Sequence, residues 1–99
     1  MTEEEKVYTI VFSIPKGKVT TYGRVAKRVG IKSPRVVGRL LHKNPKPDKI
    51  PCHRIVNSKG EVAKNFAFGG AKVQVGKLIR EGVEIEKDRV DLGKYLWRQ

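Results

Sequence analysis

The residues best suited to chemistry lie at positions 50–56, where the single cysteine, Cys52, directly precedes His53. A cysteine attacks as its thiolate, and a neighbouring basic or cationic group lowers the pKa of the thiol. Pro51 stiffens the approach to Cys52, and Ile55 begins a short apolar run that predicts a buried strand. Two interpretations are open: Cys52 is a nucleophile assisted by His53, or it is a small buried core residue. Adjacent side chains of a strand point to opposite faces, so the two can cooperate only where the backbone turns.

The composition points to a polyanionic partner. The 99 residues carry 22 Lys and Arg against 10 Asp and Glu, a formal net charge of +12. Such a charge on a small domain favours nucleic acid, although a solvated, lysine-rich surface of the thermophile kind is the alternative. One cysteine excludes an intrachain disulfide, and no apolar run reaches membrane-spanning length. We expect a single domain over residues 1–99, cytoplasmic and nucleoid-associated, with no membrane partner.

Two short helices over about residues 21–43 have the proportions of a helix-turn-helix. A threonine pair can cap the first helix, a glycine ends it, and Ser33 with Pro34 begins the second. The second helix would then enter a DNA groove with Arg35 and Arg39 available. Helix pairs of this kind also occur in proteins that never touch DNA, so the motif depends on the charge for support.

The remaining pattern predicts a mainly α domain with short strands. Thr2 and Glu5 have the spacing of a capping box at the start of an N-terminal helix that ends before Pro15. Helical spacing resumes over residues 73–80. Short strands are predicted at 55–56, at 61–63 pairing back on it, and at 83–85.

The order of these motifs resembles the C-terminal, active domain of the O6-alkylguanine-DNA alkyltransferases. The resemblance covers about residues 15–82, and its most specific part is Pro51-Cys52-His53-Arg54. Supporting segments are 15–23 before the helix-turn-helix, 35–38 with the arginine finger, 44–47 with the asparagine hinge, and 78–82 with the relay glutamate. The implied fold is the small, mainly α domain of that family, containing a helix-turn-helix.

The resemblance implies DNA repair by direct reversal, in which the damaged nucleotide is rotated out of the duplex and Cys52 takes its alkyl group irreversibly. Cys52 would become a thiolate through a chain in the order His53, water, Glu81. Tyr22 would promote the rotation and donate a hydrogen bond to the guanine. Arg35 would fill the space that the rotated base leaves in the stack.

The same resemblance implies the other contacts of the site. The carbonyl oxygens of Cys52 and Ile55 would accept hydrogen bonds from the exocyclic amine of guanine. No metal or other cofactor is implied, and the expected partner is double-stranded DNA carrying O6-alkylguanine, bound by a monomer. The substrate pocket would be formed by Asn44, Leu41, Pro47, Ile55, Phe66 and Phe68, and DNA would be contacted by Arg35, Tyr22, Arg39, Lys43 and Thr21.

Three departures from the family pattern bear on transfer. We expect the family's N-terminal domain to be missing, the loop over 61–70 is about two residues longer than usual, and Gln74 stands where many members have a lysine. These features also resemble the alkyltransferase-like proteins, which bind O6-alkylguanine, usually lack the cysteine, and mark the lesion for excision-repair proteins. The set of Cys52, His53 and Glu81 favours transfer, because pure binding has no use for it. A helix-turn-helix regulator would explain the charge but leave that set without a role.

Overall fold

The structure, a computed structural model, describes residues 1–64 and 66–98; Asn65, in the predicted 61–70 loop, and Gln99 lie outside the described residues. The described chain is mainly α with short strands, as predicted. In order, its elements are α1 (Glu3–Phe12), β1 (Thr20–Thr21), α2 (Tyr22–Val29), α3 (Pro34–His42), a 3-10 turn (Cys52–Arg54), β2 (Ile55–Val56), α4 (Gly70–Arg80), β3 (Ile85–Glu86), β4 (Arg89–Val90) and α5 (Leu92–Tyr95).

Capping side chains set the helix ends close to their predicted positions. Thr2 and Glu5 exchange side-chain-to-backbone hydrogen bonds of 2.9 and 3.1 Å, so the capping box of α1 is confirmed. Thr21 caps α2 and Ser33 caps α3 through their side-chain oxygens. Gly30 ends α2 with φ of 78°, a left-handed conformation that glycine adopts without steric cost. These local signals place the predicted helix-turn-helix at α2 and α3.

The strand pairing differs from the prediction. β1 and β2 pair in parallel, with Thr20 opposite Ile55 and Thr21 opposite Val56. The predicted strand at 61–63 is wrong, since Glu61 forms only an isolated bridge with a residue of β4. The strand predicted at 83–85 overlaps β3 only at Ile85, and α4 begins three residues before the predicted start. The parallel pair ties the segment before the helix-turn-helix to the segment after the cysteine.

Two buried clusters meet at β2. The first is formed by α1, α2 and α3 and includes Cys52 and Ile55, whereas the second contains Val56 with Leu78 of α4. Ile55 and Val56 are both fully buried, and burying such a side chain is worth about 1.5–3 kcal/mol. Because neighbouring strand residues face opposite sides, each anchors a different cluster and the turn before them is held in place. No helix in residues 1–64 or 66–98 is both long and apolar enough to cross a bilayer.

Candidate active site and DNA-binding surface

Cys52 begins a single 3-10 turn between Pro51 and β2. The turn provides the change in backbone direction that neighbouring cysteine and histidine side chains need in order to cooperate. Cys52 and His53 are 6% and 7% exposed, and they line different depressions. Cys52 lines a small cavity, and His53 lines a separate groove on the surface. The side chains of the candidate nucleophile and its candidate base therefore lie on two sides of the turn.

The cavity beside Cys52, which we call the Cys52 cavity, has a volume of about 50 Å³. Phe66 and Phe68, which both line it, pack edge to face with ring centroids 5.7 Å apart. Of the predicted site residues, Tyr22, Leu41, Cys52, Phe66 and Phe68 line it. The other lining residues are Gly38, His42, Ala63 and Ala67, which the sequence analysis missed. Glycine and alanine carry no chemical signature, so no sequence signal marks three of them; His42 is one of only two histidines in the chain, and its residue type was the signal that could have found it.

Three residues predicted for the pocket are not among those that line the Cys52 cavity. Asn44 is 4% exposed and lies beside the cysteine, where it donates from Nδ2 to the carbonyl oxygen of Ile50 at 2.8 Å and also acts on the Cys52 thiol. Pro47 lines the groove that His53 lines, and its position beside Leu41 stays a prediction. Ile55 is fully buried within β2, and its carbonyl oxygen, which was expected to accept from guanine, accepts from Nε2 of Gln74 at 2.9 Å.

Behind the turn, His53 contacts Glu81 directly, with Nε2 3.0 Å from Oε2. This contact leaves no space for a water between them, so the predicted order of the relay is wrong at that step. Arg54, which the sequence analysis quoted without a role, donates to both carboxylate oxygens of Glu81 at 2.9 and 2.6 Å. It also donates to the carbonyl oxygen of Ile14 at 2.7 Å. Arg54 thus anchors the glutamate that orients the histidine.

The ionisation of this group follows from burial and contacts. Burial raises the pKa of Glu81, but hydrogen bonds from Arg54 and His53 outweigh it, and the net pKa is lowered. The carboxylate is therefore charged at neutral pH and accepts the Nε2 proton of His53. Burial lowers the pKa of His53, against the opposing effect of Glu81. The ring is neutral, and Nδ1 is the nitrogen with a free lone pair; it has no hydrogen-bond partner within the described residues.

Burial also raises the pKa of the Cys52 thiol. A hydrogen bond from Asn44 and the positive charge of Lys77 act in the opposite direction without cancelling the shift. The resting cysteine is therefore a thiol at neutral pH, beside a neutral histidine. Formation of a thiolate requires transfer of its proton, and the acceptor with the right properties is Nδ1 of His53.

The candidate DNA-binding surface follows α3. Arg35, at the second position of the helix, and Arg39 are exposed, as is Lys43 just beyond its end. Arg35 lies three residues before Gly38 of the cavity wall, about 4.5 Å along the helix axis. Thr21, also predicted to contact DNA, is 7% exposed and its hydroxyl oxygen is used by the cap of α2. One helix thus carries both the exposed cations and part of the cavity wall.

Comparison with known proteins identifies the family of the chain. Residues 2–83 match the family described as 6-O-methylguanine DNA methyltransferase, DNA binding domain. Because the match covers most of the chain, the protein belongs to this family, as the sequence motifs indicated.

Relatives of the chain include both an alkyltransferase-like protein and a methyltransferase. The chain is 39% identical to alkyltransferase-like protein 1 of Schizosaccharomyces pombe over 94% of this chain and 92% of that protein. It is 42% identical to a methylated-DNA–protein-cysteine methyltransferase of Methanothermobacter thermautotrophicus over 84% of this chain and 46% of the relative. A crystal structure of the S. pombe protein with damaged DNA containing O6-carboxymethylguanine superposes with a TM-score of 0.88 at 35% identity, over 98% of this chain and 95% of that one.

Proposed function

We propose that the protein binds duplex DNA carrying O6-alkylguanine, rotates the damaged nucleotide toward the Cys52 cavity, and accepts the alkyl group on Sγ of Cys52. The observation that carries this proposal is the position of the only cysteine in the wall of a cavity flanked by α3. A cysteine with a purely structural role would need neither the histidine nor the anchored glutamate behind it. The +12 charge supports a nucleic-acid partner.

The transfer step balances without a cofactor. The thiol proton passes to Nδ1 of His53, through a bridging water, and Glu81 stabilises the imidazolium that forms. Sγ then bonds to the alkyl carbon as the carbon–O6 bond breaks, and the bonding electron pair remains on O6. The guanine takes up one proton, and Tyr22, which lines the cavity, would donate toward it from its hydroxyl. The thioether is stable, so each molecule acts once.

The cavity must widen to admit the base. A volume of about 50 Å³ is too small for a purine. Phe66 and Phe68 are only partly buried, and they lie in the loop between β2 and α4 rather than in a helix or strand. Rotation of the nucleotide from the duplex costs a few kcal/mol. We propose that this loop moves as the base enters, so that the two rings pack against it.

A second candidate is lesion recognition without transfer, followed by recruitment of excision-repair proteins. The similarity to the S. pombe alkyltransferase-like protein, which spans nearly both chains, favours it. The buried thiol with its raised pKa also favours it, because less thiolate is present at neutral pH. Both candidates use the same cavity and the same DNA-binding surface, and they differ only in what happens at Sγ.

Intact-mass spectrometry after incubation with a duplex containing one O6-methylguanine separates the two candidates. Transfer predicts a gain of one methyl group per protein molecule, and none with undamaged duplex. Cys52→Ser is the control: a hydroxyl is a much weaker nucleophile, so the variant should bind the lesion without gaining mass. Binding of the damaged duplex without a mass change would establish the second candidate, and methyl removal by the serine variant would refute the chemistry.

A further inference from the structure

Gln74 of α4 is a fully buried amide whose polar groups are all engaged. Its Nε2 donates to the carbonyl oxygens of His53, at 3.1 Å, and of Ile55, at 2.9 Å. Its Oε1 accepts from the backbone N–H of Ala63 at 2.8 Å. A buried polar side chain is stable only when its groups are paired, and here each partner is backbone. Gln74 stands where many family members have a lysine near the pocket, whereas in this structure it hydrogen-bonds the backbone of the turn and of β2.

The three bonds join two parts of the site that are distant in sequence. The carbonyls of His53 and Ile55 follow the cysteine in the turn and in β2, and Ala63 lines the Cys52 cavity. One side chain therefore connects the segment that carries the nucleophile to a segment of the cavity wall. Glutamine can do this because it presents a donor and an acceptor at once. A lysine in its place could donate to the carbonyls but could not accept from Ala63.

We infer that Gln74 is a positioning residue that holds Ala63 against the cysteine turn and so limits the size of O6-alkyl group that the cavity admits. The inference rests on the proposed binding of O6-alkylguanine, whether or not transfer follows. What it adds is a role for the hydrogen bond between Gln74 and Ala63. This bond controls the width of the cavity and does not act on the thiol. The prediction is therefore a change in preference among lesions, with recognition of the smallest lesion retained.

Gln74→Lys tests the bond to Ala63 separately from the bonds to the turn. Lysine keeps a donor for the carbonyl oxygens of the turn and removes the acceptor for the N–H of Ala63. The cavity wall at Ala63 therefore loses its hydrogen bond to α4, and the turn keeps its own. Losing one such bond should raise the affinity for O6-benzylguanine relative to O6-methylguanine, in matched duplexes, about fivefold. Amide hydrogen exchange at Ala63 should become faster by a similar factor. Competition binding between the two duplexes measures this preference, whether or not the alkyl group is transferred to Sγ.

The control is Val75→Ala on the same helix. Val75 is partly buried and packs on the second cluster, away from the turn, so the substitution loosens α4 without touching the three bonds. Its lesion preference should equal that of the unmutated protein. An unchanged preference between the two lesions in folded Gln74→Lys, or an equal shift in Val75→Ala, would overturn the inference about Gln74 and leave the proposed function standing. Unmutated protein that binds neither lesion more tightly than guanine would overturn the proposed function, and the size limit with it.

Discussion

At Cys52, burial and reactivity act in opposite directions. The cavity wall that positions the sulfur also removes it from water, which raises the pKa of the thiol. His53 compensates, because its lowered pKa keeps the ring neutral and able to accept a proton. Glu81 and Arg54 fix which nitrogen is free. The proton therefore stays on sulfur at rest, and the proposed transfer would begin when it passes to His53.

This arrangement predicts how transfer depends on pH. Because neutral His53 takes the thiol proton within the site, the reactive pair holds the same number of protons as the resting pair. The pKa of His53 is lowered and that of the thiol is raised, so single-turnover methyl transfer at saturating duplex should be nearly independent of pH between the ordinary values of about 6.5 and about 8.5. The rate should fall only at lower pH, where His53 becomes protonated and can no longer accept the proton. Rates from rapid quenching and mass analysis measure it. A rise of about tenfold per pH unit over the same range would show that the thiol loses its proton to solvent and that His53 is not the base.

The sequence pointed to candidate reacting residues, but it could not predict the contacts around them. Cys52, His53 and Glu81 each have side-chain chemistry that a motif can reveal, and the structure brings His53 and Glu81 together. The place of Pro47 and the buried role of Gln74 depend instead on how distant segments pack. No local pattern specifies such contacts, so the sequence could not place them.

Among the elements, α3 carries both an exposed arginine of the candidate DNA-binding surface and part of the cavity wall. Its first turn exposes Arg35, and its next residues form part of the wall through Gly38 and Leu41. A side chain that enters the DNA stack from this turn would lie beside the nucleotide that enters the cavity. Under the proposed function, one helix would therefore serve both the rotation of the base and the shape of the pocket.

Arg35→Ala tests this assignment. If Arg35 occupies the vacated stack, its loss should slow transfer from duplex O6-benzylguanine far more than transfer from the free base, which needs no rotation. Each 1.36 kcal/mol of lost compensation is about tenfold in rate, so a loss of ten- to a hundredfold on duplex is expected. Mass analysis of both reactions measures the ratio, after confirming that the unmutated cavity admits free O6-benzylguanine.

Glu81→Gln is the matched comparison for Arg35→Ala, because it acts on the thiol and not on DNA. It should slow both substrates by the same factor. Equal losses on both substrates for Arg35→Ala would reduce Arg35 to an ordinary phosphate contact.

The elements themselves show why helix ends were predictable and strand partners were not. Thr21, Ser33 and Gly30 act on backbone groups within three residues, so their types alone indicate where a helix begins or ends. The pairing of β1 with β2 joins residues 35 positions apart, Thr20 with Ile55. Strands of two residues carry too little alternation to indicate a partner, and the predicted 61–63 strand failed for that reason.

At the scale of the molecule, the charge is divided unevenly along the chain. Residues 6–47, which include α2 and α3, contain 11 of the 22 Lys and Arg and none of the 10 Asp and Glu. The other 57 residues hold 11 basic and 10 acidic side chains and are nearly neutral. A surface charged only for solubility has no reason to segregate in this way. The helix-turn-helix half of the chain therefore carries almost the whole +12.

This asymmetry predicts a salt dependence that belongs to particular residues. Binding to undamaged duplex should weaken steeply as salt increases, because each phosphate contact releases counterions and adds about −0.9 to the log–log slope. Arg39→Ala should therefore make the slope shallower by about 0.9, with Lys43→Ala acting alike. Lys59→Ala removes the same charge from an exposed turn in the neutral part of the chain and should leave the slope unchanged. Fluorescence anisotropy over a salt series measures the slope for all four proteins. Equal slopes for Arg39→Ala and Lys59→Ala would show that the charge acts as a diffuse field, without phosphate contacts at α3. An affinity that does not depend on salt would mean that the +12 charge serves solubility alone.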